Sequence, residues 1–121
     1  MPFFESCITN AHTLARTTAE RAILDYLLEN AVGKNNAKSW DTISFALKDE
    51  HTLPTKEGFQ MGLLARSRGS DAFIGSCPAG YFIINGLEDA FACLNFYLKR
   101  ISVEQQRVES LRKLIESAYL G

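Results

Sequence analysis

Catalytic residue types are few and scattered in this sequence. The two histidines, His12 and His51, lie far apart, and neither belongs to a metal-binding, phosphate-binding or nucleophile motif. Cys77 has no basic sequence neighbour that would favour its thiolate. Two carboxylate pairs, Asp49–Glu50 and Glu88–Asp89, are adjacent residues that would face different directions on a helix. The sequence therefore predicts a protein that is not an enzyme and uses no metal and no cofactor.

Composition limits the remaining classes of function. A chain of 121 residues with 46% hydrophobic residues is expected to form one domain with a real core. The net charge of −1 argues against a strongly basic protein of the histone type but leaves room for a local basic face. Three widely spaced cysteines favour reduced thiols, and the sequence shows neither a signal peptide nor a membrane-length apolar run. These features predict a cytoplasmic protein without a membrane partner.

Three short helices are predicted in the first half of the chain. Thr17 to Glu20 form a capping box, an apolar stripe at helical spacing follows, and Gly33 is the predicted stop. Ser39 is expected to cap the second helix. Thr55 is expected to cap the third, which runs to about Arg68 with Phe59, Leu63 and Leu64 as core positions.

A hairpin and a long helix complete the predicted order. Two short strands, 73–76 and 81–84, flank the segment Ser76-Cys77-Pro78-Ala79-Gly80. From Leu87 to about Tyr119 there is neither proline nor glycine, which predicts one helix about 50 Å long. The fold class is mainly α with a small β-hairpin. We divide the chain into an N-terminal arm (1–16), a helix-and-hairpin domain (17–85) and a long C-terminal helix (86–121).

The stretch from Arg66 to Ile83, RSRGSDAFIGSCPAGYFI, carries a family resemblance. It resembles the end of the recognition helix and the wing of winged helix-turn-helix DNA-binding proteins of bacterial and phage type. In that family a basic helix end leads to an isoleucine-containing strand, a short tip and then Gly-Tyr. The resemblance extends over about residues 17–85 and implies a winged helix-turn-helix fold. The tip of this wing, unlike many in the family, carries no arginine or lysine.

The resemblance implies duplex DNA as the partner, with the third helix in the major groove and the wing near the phosphates. On this interpretation Gln60 reads adenine, while Lys56, Arg66 and Arg68 neutralise phosphate or read guanine. The start of the second helix would clamp the backbone. The implied DNA-binding residues are Lys38, Ser39, Thr42, Thr55, Lys56, Gln60, Arg66 and Arg68.

The long helix carries an apolar seam. Leu87, Phe91, Leu94, Leu98, Ile101, Gln105 and Val108 follow a 4-3 spacing, and Leu111, Ile115 and Ala118 continue it with a shift. We expect the first half of this helix to pack on its own domain. The second half is expected to form a homodimer, parallel or antiparallel, through Leu98, Ile101, Gln105, Val108, Leu111 and Ile115. Two alternatives are a bend near Ser102 that folds the helix back on the first one, and a target helix from another protein.

Together these features predict a non-catalytic, dimeric, sequence-specific DNA-binding regulator of the transcriptional or phage type. The alternative is a winged helix that acts as a protein–protein interaction module, such as an adaptor or a phage-encoded inhibitor of a host system. Near-neutral charge and the uncharged tip favour that alternative.

Overall fold

In the computed structural model, residues 12–68 and 74–120 are described; the predicted arm therefore falls largely outside them, apart from a 3₁₀ turn at His12–Leu14. The described chain is mainly helical, with a two-stranded antiparallel sheet and a long C-terminal helix. The elements are α1 (Thr18–Asn30), α2 (Trp40–Leu47), α3 (56–68), β1 (Ile74–Cys77), β2 (Gly80–Ile83) and α4 (Leu87–Leu120). The predicted order of three helices, hairpin and long helix is confirmed.

All three predicted helix caps are present. The hydroxyl oxygens of Thr17, Ser39 and Thr55 accept hydrogen bonds from the backbone N–H groups of Glu20, Thr42 and Gly58 respectively. Each cap satisfies one of the amides that a helix start leaves without an intrahelical partner. Local sequence therefore determined where these helices begin.

The predicted end of the first helix was wrong. We expected Gly33 to stop it, but α1 ends at Asn30. The chain leaves the helix early because its next residues pair with β2: Ile83 N–H donates to the Ala31 carbonyl and Gly33 N–H donates to the Ile83 carbonyl. Lys38 and Tyr81 then exchange both backbone hydrogen bonds at 2.9 and 2.8 Å. The segment 31–38 thus covers the edge of β2 that β1 leaves open.

Helix α3 changes its winding in the middle. It is α-helical over Lys56–Phe59, π-helical over Gln60–Leu64 and α-helical again over Ala65–Arg68. The predicted core residues Phe59, Leu63 and Leu64 are all buried, which confirms the predicted inner face.

Strand β2 lies between two apolar clusters. Tyr81 and Ile83 pack with the helices α1 to α3, while Phe82 and the following Ile84 pack with Cys93 of α4. This separation follows from the alternation of side chains along a strand. The hairpin is therefore held on both faces and is a fixed part of the domain.

Helix α4 has 34 residues and keeps its seam in solvent over its whole length. The first half of α4 packs on the domain, as predicted, but it does not do so through the seam, since Leu87, Phe91, Leu94 and Leu98 are all at least half exposed. The domain instead contacts a different side of α4, formed by Ala90, Cys93 and Tyr97. At 100° per residue, that side lies roughly a quarter of a turn around the helix from the seam.

Candidate nucleic-acid interface

A cleft of about 410 Å³ lies between the hairpin turn and the helices around it. We call it the hairpin cleft. The start of α2 contributes Ser39 and Trp40, α3 contributes one face, α4 contributes two residues, and the turn forms the remaining wall. Its lining residues are Ser39, Trp40, Lys56, Gln60, Leu64, Phe96, Arg100 and the segment 76–81.

Two cations and no carboxylates line the hairpin cleft among the described residues. Lys56 is the first residue of α3, where the positive end of the helix dipole disfavours a cation. Arg100 extends from α4, with its guanidinium carbon 5.8 Å from the ring centroid of Phe96. Because neither cation has a carboxylate beside it in the cleft, an anion would be drawn to this position.

The cleft brings together only part of the predicted DNA-binding set. Ser39 and Lys56 lie in it and are exposed. Thr42 and Thr55 are exposed at the starts of α2 and α3, where Thr42 is within 3.0 Å of the Ser39 hydroxyl and Thr55 caps α3. Lys38 is half-buried, with both backbone polar groups bonded to Tyr81.

Two side chains that were predicted to contact DNA bond other residues of this chain instead. Gln60, expected on the exposed face of α3, is half-buried, and its amide nitrogen donates to the Tyr81 hydroxyl at 2.9 Å. Arg66 forms an ion pair with Glu20 and donates from Nε to the Leu14 carbonyl at 2.9 Å. Both side chains turn inward because buried polar partners are available there. The side chain of Arg68 lies outside the described residues.

Sequence reasoning missed Arg100. The residue is one of several cations on a long, charged helix, and no local pattern separates it from Lys99 or Arg107. Its place beside the hairpin follows from the packing of α4 on β1 through Cys93 and Tyr97. The sequence pattern that could have indicated Arg100 is Phe96, four residues earlier, since an aromatic ring at that helical spacing can form a cation–π contact with a guanidinium group.

The residues considered for catalysis do not form a common site in the described parts of the chain. Asp89 is buried and accepts hydrogen bonds from the backbone N–H groups of Lys34 and Asn85 at 3.0 and 2.9 Å. Its neighbour Glu88 points elsewhere, toward the Lys34 ammonium at 3.5 Å. No group of three potential metal ligands occurs within residues 12–68 and 74–120.

The six predicted dimer residues lie along α4. Leu98, Ile101, Gln105, Val108, Leu111 and Ile115 are all exposed in the single chain. None of the described helices combines the length and the apolar character that a bilayer crossing needs.

Comparison with known protein families, curated proteins and solved structures gives no significant match. A function for this chain therefore has to be inferred from its own residues and their geometry.

Proposed function

We propose that this chain is a winged helix-turn-helix protein that binds duplex DNA and regulates by occupying its site, without catalysis. The element order and the β2 edge covered by segment 31–38 support the fold assignment. On this proposal α3 is the recognition helix and the β1–β2 hairpin is the wing.

The observation that carries the proposal is the hairpin cleft, with Lys56 and Arg100 on its walls and no carboxylate among its described lining residues. A wing and a recognition helix position a duplex mainly through phosphate contacts, which need cations and hydroxyl or amide donors. Ser39, Lys56 and Arg100 supply this chemistry at one place. The uncharged wing tip is then compensated by a cation from α4.

The proposal also specifies which predicted contacts act on DNA. Lys56, Arg100 and the hydroxyl groups of Ser39, Thr42 and Thr55 contact phosphates. Gln60 and Arg66 hold the recognition helix in place through Tyr81 and Glu20 instead. The exposed side chains left on α3, chiefly Glu57, Met61 and Ala65, form the surface that faces the bases.

The test is binding of a fluorescently labelled random-sequence duplex at low salt, measured by anisotropy. The variant Lys56→Ala/Arg100→Ala is expected to bind at least tenfold more weakly than the unaltered chain. Arg21→Ala/Lys48→Ala is the matched control, since it removes the same charge from residues outside the cleft. If both variants bound the duplex equally weakly, the loss of affinity would follow from net charge alone, and this would contradict a role for the cleft.

A protein partner is the second candidate function, and exposed apolar side chains favour it. Met61 on α3 is 77% exposed and Phe45 on α2 is 74% exposed. Large apolar groups left in water near a functional surface are typical of protein interaction sites. Absence of duplex binding by the unaltered chain, even at low salt, would favour this candidate over DNA.

A further inference from the structure

Three exposed side chains, those of Glu57, Met61 and Ala65, follow one another along α3 at intervals of four residues. Residues four apart lie on the same side of a helix. In an α-helix such a series drifts slowly around the axis, because four residues exceed one turn. The π-helical winding over Gln60–Leu64 opposes this drift, since its i→i+5 hydrogen bonds close a wider turn. We call these three side chains the α3 stripe.

The α3 stripe offers one hydrogen-bond acceptor and no donor. The Glu57 carboxylate only accepts hydrogen bonds when it is ionised. Met61, which is 77% exposed, and Ala65 present apolar groups. Guanine shows two acceptors in the major groove and adenine shows an acceptor beside a donor, so neither base finds a matching partner on the stripe.

The polar side chains described elsewhere on α3 do not supply the missing donors. Gln60 and Arg66 are bonded within the domain. Lys56 lines the hairpin cleft, where the proposed function assigns it to phosphate. The chemistry left for the bases is therefore one carboxylate followed by two apolar groups.

We propose that the α3 stripe selects duplexes in which one strand carries cytosine and thymine close together. This inference rests on the proposed role of α3 as the recognition helix. Glu57 accepts a hydrogen bond from the cytosine N4 amino group, and Met61 and Ala65 pack on thymine 5-methyl groups. The stripe extends over eight residues, or about 12 Å, which spans about four consecutive base pairs at 3.4 Å each.

The negative charge of Glu57 makes this contact selective. Phosphates repel a carboxylate, so its approach to the groove is favourable only where a base amino group donates to it. The neighbouring N7 acceptor of adenine repels the second carboxylate oxygen, whereas cytosine has no acceptor beside its amino group. Glu57 also stabilises the start of α3 through the helix dipole, so its test must measure base preference as well as affinity.

Base preference is measured by selecting bound duplexes from a random-sequence library with the unaltered chain. The enriched duplexes should share a run of about four base pairs that carries cytosine and thymine on one strand. Deoxyuridine in place of thymine then removes only the methyl groups. Each contacted methyl that is removed should weaken binding about fourfold, which is the equivalent of exposing one buried methyl group.

Two variants assign these preferences to the α3 stripe. Glu57→Gln should change the preferred base from cytosine to adenine, because a glutamine amide pairs with adenine N6 and N7. Met61→Ala should bind the thymine and deoxyuridine duplexes with a ratio about fourfold smaller than the unaltered chain does. Phe45→Ala is the control, since it removes a side chain of similar exposure, 74%, from α2 and should leave that ratio unchanged. Circular dichroism verifies that all three variants are folded.

The possible failures separate this inference from the proposed function. Duplex binding without enrichment, or with equal affinity for thymine and deoxyuridine duplexes, would overturn the role of the α3 stripe and leave the hairpin cleft as a DNA site. A preference for cytosine that survives in Glu57→Gln would overturn it too. If the unaltered chain bound no duplex at low salt, both the proposed function and this inference would be contradicted.

Discussion

The Gln60 amide on α3 donates a hydrogen bond to the Tyr81 hydroxyl on β2 at 2.9 Å, and this bond joins the helix to the hairpin. Tyr81 is only 6% exposed, and its ring meets that of Phe59 edge-on at 4.9 Å. The two residues are 21 positions apart in the sequence. The contact therefore links α3 to the hairpin at the wall of the hairpin cleft, which both residues line.

We expect Gln60→Ala and Tyr81→Phe each to lower the free energy of unfolding by about 1 kcal/mol, because each leaves a polar partner without its hydrogen bond. The double variant should lose less than the sum, since both changes remove the same bond. Urea denaturation of the four proteins provides the measurement. Strict additivity would mean that the bond contributes nothing to stability.

Inward placement of Gln60 also changes what its substitution should do to DNA binding. A base-reading glutamine would alter sequence preference when replaced, whereas a residue bonded to Tyr81 acts on the position of the whole helix. We expect Gln60→Ala to weaken binding to all duplexes by a similar factor. Competition among duplexes of different sequence measures this, and a selective loss at sites containing one particular base pair would restore the base-reading role.

Sequence patterns predicted the helices and strands better than they predicted the tertiary contacts between them. Caps at Thr17, Ser39 and Thr55 depend on residues three positions apart, so local chemistry determined them. The end of α1 depended on Ile83, more than fifty residues away, which no local pattern shows. The same limit applied to Gln60, whose exposure was decided by a tyrosine on another element.

The long helix illustrates the limit of periodicity. The 4-3 spacing correctly identified a seam on α4, but it did not tell which side the domain would occupy. Small residues at Ala90 and Cys93 allow close packing against Phe82 and Ile84, and this packing left the leucine-rich side in water. Arg100 was missed for the same reason, because its position depends on that choice of side.

Acid should weaken the ion pair between Glu20 and Arg66, which joins α1 to α3. Burial alone would raise the pKa of Glu20, but the Arg66 guanidinium and backbone amides of Arg16 and Thr17 lower it, and the net pKa lies below its usual 4.5. A carboxylate with a lowered pKa stabilises the fold fully above the unfolded-state value. That contribution is lost as the pH falls from about 4.5 through the folded-state pKa.

We therefore expect Glu20→Gln to lower the free energy of unfolding at pH 7 by about 2 kcal/mol, because the half-buried Arg66 loses its counter-ion. The difference in free energy of unfolding between the variant and the unaltered protein should disappear below pH 4.5, where Glu20 itself becomes protonated. Denaturation at a series of pH values measures both effects. The control is Arg21→Gln, which breaks an exposed ion pair with Asp25 and should lower the free energy of unfolding by only a few tenths of a kcal/mol. If Glu20→Gln lowered the free energy of unfolding by the same amount at every pH, the pH dependence would not come from Glu20.

Gly80 is required at the start of β2. Its φ is +135°, and a Cβ there would lie 2.2 Å from the Lys38 carbonyl oxygen. Gly80→Ala should therefore cost more than about 3 kcal/mol and disrupt the pairing of segment 31–38 with β2. Gly86→Ala is the control, since its φ is +147° but a Cβ there meets nothing within 4 Å.

The control should cost about 1–3 kcal/mol from backbone strain alone. Thermal or urea unfolding of the two variants measures the difference. Amide hydrogen exchange adds a local measurement, because the Lys38 and Tyr81 amides bond each other's carbonyls and should lose protection in Gly80→Ala. Equal destabilisation by the two variants would mean that the close approach of Lys38 does not matter.

The salt dependence of DNA binding should show how many phosphates the cations of the hairpin cleft neutralise. Each cation that replaces a counterion on duplex DNA contributes about 0.9 to the slope of log affinity against log salt concentration. Lys56→Ala and Arg100→Ala should therefore each reduce the slope by about 1, and together by about 2. Arg66→Ala should leave the slope unchanged, because its guanidinium is already paired with Glu20. Anisotropy titrations at four or more salt concentrations give these slopes. A large change for Arg66→Ala with none for Arg100→Ala would place the phosphate contacts at the far end of α3 and remove the hairpin cleft from the interface.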